Sequence, residues 1–209
     1  MLSSILVIIF NKKAMKQQPF EAAHFYHVFN RGNNKENIFK TKDNYSYFLN
    51  LVKKHLLSIC DIYSYCLLPN HFHFIIRIKS FNELPTNFKN SKTKLHQPFS
   101  NLFNAYTKAI NKKQQRTGSL FQEHLKRIQI NNEEYLRHLI VYVNTNPTHH
   151  AISNFKEYKY ASYQSLISEK TSLLKRKEVL DLFNDVENFK YVLNVKKLNI
   201  EALNEYLLE

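Results

Sequence analysis

The sequence predicts an α+β protein in which helices cover one side of an antiparallel sheet. Between residues 24 and 147, strand-like and helix-like segments follow each other as strand, helix, strand, strand, helix, strand, helix. Hydrophobic residues make up 44% of the chain and aromatic residues 14%, which is enough for a sizeable core. This order and composition favour the ferredoxin-like split βαβ plan, in which an antiparallel sheet carries its helices on one face.

The first half of this pattern is a strand, a helix and a hairpin. Residues 24–32, HFYHVFNRG, mix aromatic residues with Val and end at a glycine, which indicates a strand. Residues 44–58 carry apolar side chains at helical spacing. CDIYSYCLL (60–68) and HFHFIIRIK (71–79) alternate like strands, and the Pro69-Asn70 turn between them predicts a hairpin.

The second half adds two helices and one strand. Residues 80–98 are polar and predict a loop, and residues 100–115 predict a helix. SLFQEHLKRIQI (119–130) leads into a strand. NNEEYLRHLIVYVNTNP (131–147) begins with Asn caps and early Glu residues and ends at Pro147, so it predicts a third helix.

Charge and composition narrow the classes of function. Thirty Lys and Arg residues oppose 17 Asp and Glu residues, and the net charge of +13 favours a polyanionic partner such as nucleic acid. A Lys-rich surface from an A+T-rich genome is the alternative interpretation. Only two glycines are present, which excludes a Gly-rich phosphate loop or dinucleotide fingerprint. Cys60 and Cys66 are too few for a disulfide framework and predict reduced core residues of a cytoplasmic protein.

Two histidines begin the predicted strand 71–79. Alternate residues of a strand point to the same face, so His71 and His73 are expected side by side, with Phe72 and Phe74 facing the other way. Such a pair is either structural or a metal site, and the two residues alone do not decide between these interpretations.

A polar stripe on the predicted helix 131–147 offers partners for that pair. His138, Tyr142 and Asn146 lie at i, i+4 and i+8, beside the apolar stripe. A divalent cation held by two imidazoles and the Asn146 oxygen would keep open positions for phosphodiester oxygens, and this ligand set favours Mg²⁺ or Mn²⁺ over structural Zn²⁺. The hypothesis is that the Tyr142 phenol attacks phosphorus beside this cation.

Tyr106 is the rival nucleophile. It shares an apolar stripe with Leu102, Phe103 and Ile110 on the predicted helix 100–115, and is therefore predicted to belong to the core.

Four segments in chain order resemble a known family. They are YHVFNRGNNKENIF (26–39), YCLLPNHFHFIIRI (65–78), GSLFQEHLKR (118–127) and YLRHLIVYVNTNP (135–147). Together they resemble the REP-associated tyrosine transposases of the single-tyrosine HUH (His-hydrophobe-His) superfamily. The resemblance covers residues 24–165, and its most specific part is LPNHFH with YVNTNP, in which Tyr142 follows His73 by 69 residues.

The resemblance implies the HUH endonuclease fold and a role for each residue of the proposed site. His71, His73 and Asn146 would be metal ligands and Tyr142 the nucleophile. The implied activity is that of a metal-dependent transposase, a single-stranded DNA endonuclease and strand transferase acting at hairpins. It leaves a 5′-phosphotyrosine and a free 3′-hydroxyl, and needs no ATP. Relatives act as monomers or as homodimers, so both states stay open.

The chain departs from the family pattern at two places. His124-Leu125 stands where an aromatic residue commonly follows GSLFQ, and THHAI (148–152) replaces a small Ala-Gly after the Asn-Pro pair. The second departure is expected to touch no proposed ligand.

Further residues flank the proposed site. Four basic residues are candidate phosphate contacts, with a solvated basic surface as the alternative for each: Arg31, Lys35, Lys126 and Arg127. Three others are candidate neighbours of the ligands or the nucleophile: His138, Glu123 and His124.

Two other functions stay open beside the transposase. One is a non-catalytic nucleic-acid-binding module on the same fold. The other is a small metal hydrolase that uses His71 and His73 with a water nucleophile and forms no covalent protein–DNA species.

The predicted domain organisation has three parts. Residues 1–20 form an N-terminal tail, and the hypothesis is that translation starts at Met15, so that residues 1–14 are an extension that is not native. The apolar run from residue 5 to 10 is too short to span a bilayer and lacks the basic segment of a signal peptide. Residues 21–165 form the catalytic domain, and residues 166–209 form a helical C-terminal extension.

Overall fold

The computed structural model describes residues 19–89 and 95–195, and a four-stranded antiparallel sheet lies at its centre. Its strands are β1 Phe25–Arg31, β2 Cys60–Leu68, β3 His71–Ile78 and β4 Lys126–Ile130, in the order β2-β3-β1-β4. The predicted α+β class with its antiparallel sheet is confirmed, and so is the β2–β3 hairpin.

Seven α-helices accompany the sheet in the described residues. They are α1 Lys42–Leu56, α2 Thr86–Lys89, α3 Gln97–Lys113, α4 Glu133–His149, α5 Tyr163–Ile167, α6 Arg176–Asp181 and α7 Val186–Val195. Helix α4 continues two residues beyond Pro147, where the sequence predicts its end. A proline in the last turn removes one intrahelical hydrogen bond, and the turn after it is still closed by the His150 N–H donating to the Asn146 carbonyl at 3.0 Å.

Residues 119–130 lead into a strand, as predicted, and the strand itself is β4. Only 126–130 pairs with β1, because the preceding residues form a loop that crosses the end of that strand. The Gln122 N–H donates to the Arg31 carbonyl at 2.8 Å, and the Asn33 N–H donates to the Leu120 carbonyl at 2.9 Å. These bonds tie the loop to the end of the sheet at which β3 begins.

Helices lie on both faces of the sheet, which differs from the predicted one-sided cover. Phe72 and Phe74 of β3 pack with α1 and α3, where Phe48 lies 5.4 Å from the Phe72 ring centroid. Ile75, on the opposite face of β3, packs instead with α4. The apolar pattern reveals that both faces of β3 are buried, but it does not reveal which helix crosses to which face.

The described C-terminal helices pack in the hydrophobic cluster on the α4 side of the sheet. Phe189 and Leu193 of α7 are buried in the same cluster as α4, and the Lys175 N–H donates to the Ile62 carbonyl of β2 at 2.9 Å. The predicted second start at Met15 lies outside the described residues, as does the end of the chain from residue 196. Among the residues that are described, no helix is long and apolar enough to cross a membrane.

Candidate active site

The histidine pair stands where β3 leaves a tightly held turn. The Pro69 carbonyl accepts hydrogen bonds from the Ile38 and Phe39 N–H groups at 2.8 and 2.9 Å, and the Gly32 N–H donates to the Asn70 carbonyl at 2.7 Å. Three backbone segments therefore meet at the start of β3. A site built here rests on backbone whose position is fixed from several sides.

His71 and His73 are both buried on the face of β3 that α4 covers. Their ring centroids lie 5.2 Å apart with the planes nearly perpendicular, at 86°. The Nδ1 atom of His71 lies 2.6 Å from the Asn70 side-chain oxygen. Because an amide oxygen only accepts hydrogen bonds, Nδ1 carries a proton with the amide in this orientation. In neutral His71, the lone pair is therefore on Nε2.

Two residues of the neighbouring strand contact His73. Its Nδ1 atom lies 3.0 Å from Nε2 of His27, a fully buried residue of β1. The Phe29 ring, which β1 places opposite His73, stacks on the imidazole at 5.7 Å and 20°. His27 was not predicted as a site residue. Its signal was present, since His27 and Phe29 alternate on β1 as His71 and His73 do on β3.

One stripe of α4 lies along the histidine pair. The Tyr142 ring stands perpendicular to His73, at 88° with centroids 5.7 Å apart. Two turns further on, the His150 ring lies 4.8 Å from His71. Asn146 is midway between these two contacts along the helix, on the same stripe.

The environment of the Asn146 side chain bears on whether a metal binds at this site. Its side chain is 0% exposed, and neither its oxygen nor its nitrogen forms a hydrogen bond within the described part of the chain. Buried amides are normally satisfied, so a missing partner of this kind calls for an explanation. His71, His73 and Asn146 offer two imidazole nitrogens and an amide oxygen, which are donor types that divalent cations accept. Within the described ranges no three His, Cys, Asp or Glu side chains cluster as metal ligands.

A second asparagine fixes how α4 is seated. Asn144 donates from Nδ2 to the Ser64 hydroxyl at 3.0 Å and to the Ile140 carbonyl at 2.8 Å, and its oxygen accepts from Ser162 at 2.7 Å. The two serine hydroxyls are themselves 2.9 Å apart, and all of these side chains are buried. This closed network joins α4 to β2, and since Asn144 lies between Tyr142 and Asn146, it also sets their position along the helix.

Tyr142 is more enclosed than the sequence predicts. The polar stripe was expected beside the apolar one, but every residue from 139 to 147 is buried because the sheet and the C-terminal helices surround this half of α4. Tyr142 itself is 2% exposed. The exposed His149 ring lies nearly parallel to it, at 6.0 Å and 29°.

The segment THHAI was expected to touch no proposed ligand, and this expectation is wrong. His150 lies against His71, and His149 lies over Tyr142. The sequence carried no local signal for this, because Pro147 was taken as the end of the helix, and the extra turn is what returns these rings to the site.

The register of β1 decides which basic residues face the site. Arg31 is paired with His71 and Lys126 with Phe29, so both are on the face of the histidines, and the Lys126 ammonium lies 5.8 Å from the Phe29 ring. Arg127 points to the opposite face, where its guanidinium lies 4.5 Å from the Phe20 ring and burial lowers its pKa. Lys35 is exposed in the turn after β1.

The remaining candidates divide between surface and core. Glu123 and His124 are exposed before β4 and pair with each other at 3.5 Å. His138 is half-buried one helical turn before Tyr142. Tyr106 is a core residue as predicted: it is buried, its hydroxyl donates to the Ile38 carbonyl at 2.7 Å, and burial raises its pKa.

Comparison with known proteins gives a counterpart for the fold. A solved structure of a REP-associated tyrosine transposase bound to a REP hairpin is similar at a TM-score of 0.56, with 12% sequence identity. The similarity covers 73% of this chain and 84% of that one. No protein-family model and no curated protein sequence matches the chain. At this level of identity, the likeness is one of fold.

Proposed function

We propose that this protein is a metal-dependent single-stranded DNA endonuclease and strand transferase that acts at hairpins through a covalent 5′-phosphotyrosine on Tyr142. One observation carries the proposal: Tyr142, Asn146 and His150 form a stripe that follows His73 and His71. A hairpin is also the ligand in the solved transposase structure of similar fold, and the net charge of +13 favours a polyanion.

His71, His73 and Asn146 would hold Mg²⁺ or Mn²⁺. When bound, the cation would supply positive charge that neutralises the phosphodiester oxygens. The Tyr142 phenol attacks phosphorus and gives its proton to a base or to water. A tyrosyl O–P bond forms, the bond to the 3′-oxygen breaks, and that oxygen leaves as a hydroxyl after taking up a proton. In rejoining, a 3′-hydroxyl attacks the phosphotyrosine and releases Tyr142, so phosphoester bonds are exchanged and no nucleotide hydrolysis is required.

The burial of Tyr142 favours a second candidate function. A phenol that is 2% exposed does not meet a DNA phosphate unless the side chains over it, His149 among them, move aside. A hairpin-binding module without catalysis needs no such movement. The two candidates share the fold and the charge, and they differ in whether a covalent species forms.

The test is an adduct assay on a pool of single-stranded hairpin oligonucleotides with randomised flanks, incubated with the protein and Mn²⁺. A 5′-phosphotyrosine retains the 3′-labelled fragment on the protein through denaturation and releases the 5′-labelled fragment. The matched variants are Tyr142→Phe and Tyr106→Phe, each of which removes one buried phenolic hydroxyl and keeps the ring. Tyr106→Phe loses a hydrogen bond worth about 1 kcal/mol and leaves the site intact.

Each outcome separates the candidates. Adducts from the unmodified protein and from Tyr106→Phe, but not from Tyr142→Phe, support the proposal. Adducts that persist in Tyr142→Phe refute the nucleophile. Cleavage without an adduct indicates a water nucleophile, and hairpin binding without cleavage indicates the non-catalytic module.

A further inference from the structure

His27 contacts His73, one of the proposed metal ligands, through a ring nitrogen. Its Nε2 lies 3.0 Å from Nδ1 of His73, and both rings are buried and nearly parallel, at 17°. Within a pair of imidazole nitrogens one must donate and the other accept. The proton between them is therefore on His73 or on His27, and the two arrangements differ in which nitrogen of His73 is left with a lone pair.

Only one arrangement suits a metal ligand. If His73 carries its proton on Nδ1, then Nε2 has the lone pair that binds a cation. If His27 donates instead, a neutral His73 carries its proton on Nε2 and cannot ligate through that atom. His71 offers a parallel, because the Asn70 oxygen already fixes the proton of His71 on Nδ1. Metal-bound histidines commonly donate their second N–H to a fixed acceptor, which sets the tautomer and the orientation of the ring.

We infer that His27 is a positioning residue that accepts the Nδ1 proton of His73 and thereby directs Nε2 of His73 to the cation. The inference rests on the proposed function, since it concerns the same metal site. His27 would act on the cation through His73, because its own ring lies on β1, the strand next to the one that carries both histidine ligands.

Three variants of the full chain test this role. Each is titrated with Mn²⁺ in the absence of DNA, and the EPR signal of free Mn²⁺ gives the Mn²⁺ affinity. His27→Leu removes the acceptor, and we expect Mn²⁺ affinity to fall by about 10- to 100-fold. His27→Gln places an amide oxygen near the former Nε2 and is expected to restore affinity to within about threefold of the unmodified protein by supplying that acceptor again. Phe29→Leu removes packing against the same His73 ring but leaves the hydrogen bond, so its affinity should stay close to that of the unmodified protein.

The outcomes separate this inference from the proposed function. If His27→Leu and Phe29→Leu lose Mn²⁺ affinity equally, or if neither loses it, the positioning role of His27 is overturned. The catalytic proposal is unaffected by this result, because the adduct assay tests it separately. If the predicted affinity order holds but no adduct forms, the inference stands and the catalytic proposal fails. If the unmodified protein does not bind Mn²⁺, the ligand set is wrong and the inference falls with it. Circular dichroism in EDTA shows whether His27→Leu folds. If it does not, His27→Gln carries the test, because a loss of Mn²⁺ affinity with an amide acceptor in place contradicts the positioning role of His27.

Discussion

Replacing Asn146 by Leu should stabilise the metal-free protein and abolish its stabilisation by metal. The Asn146 side chain is 0% exposed and neither of its polar atoms forms a hydrogen bond in the described structure. A buried polar group without a partner costs about 1–3 kcal/mol relative to a satisfied one. Leu has nearly the same shape and no polar atom, so the substitution removes this cost.

The expected size of the effect follows from that cost. Allowing for the slightly larger Leu side chain, the free energy of unfolding without metal should rise by about 1–2 kcal/mol, or about 2–8 °C in Tm. With metal at a hundred times its Kd, the unmodified protein gains about 2.7 kcal/mol by mass action. Asn146→Leu should lose most of this gain, because one of three ligands is gone.

The assay is urea unfolding of each protein in EDTA and in excess Mn²⁺. Asn144→Leu is a matched control, since it makes the same substitution two residues away on the same helix and at the same burial. Asn144 forms three hydrogen bonds, so its replacement should lower stability by about 2–4 kcal/mol in both conditions. Two buried asparagines would then respond with opposite signs.

Two results would refute this reasoning. If Asn146→Leu destabilises the EDTA form as strongly as Asn144→Leu does, then Asn146 is satisfied in solution and its burial carries no information about a ligand. If the Mn²⁺-dependent gain persists in Asn146→Leu, the third ligand is another residue.

Three more predictions concern the framework around the site. A Cβ at Gly32 would lie 2.0 Å from a backbone carbonyl oxygen of the following turn, so Gly32→Ala should lower the free energy of unfolding in urea by about 3 kcal/mol. A Cβ at Gly118 meets open space, so Gly118→Ala should cost only about 1 kcal/mol, through its positive φ. Equal costs would contradict the steric argument. Cys60 and Cys66 are buried thiols whose pKa values are raised by burial, so a thiol reagent should modify them far more slowly in the native protein than in urea, and equal rates would show that these sites open freely. Burial also raises the pKa of Tyr106. The unfolded chain loses its Cys and Tyr protons from about pH 8.5 to 10 while the folded chain keeps them, so the stability from these groups is present below this range and declines above it. Tm should therefore fall between about pH 8 and about pH 10.5, and a constant or rising Tm would contradict the burial of these groups.

Local patterns in the sequence determined the elements and much of the core. The alternation of residues 60–79 and the Pro69-Asn70 turn predicted the β2–β3 hairpin, and Asn132 caps α4 by accepting from the Tyr135 N–H at 2.7 Å. The apolar stripe of α3 predicted that Tyr106 is buried. These features follow from the sequence because periodicity, turn and capping chemistry act over a few neighbouring residues.

The tertiary structure alone decided what surrounds the histidines. His27 lies 46 residues before His73 in the chain and reaches it only through the register of β1 against β3. The register of β4 likewise turns Lys126 toward the site and Arg127 away from it, and a shift of one residue would exchange them. The side of the sheet on which α4 packs determines that Tyr142 is enclosed. Register and helix placement depend on contacts between distant segments, which no local pattern in one sequence specifies.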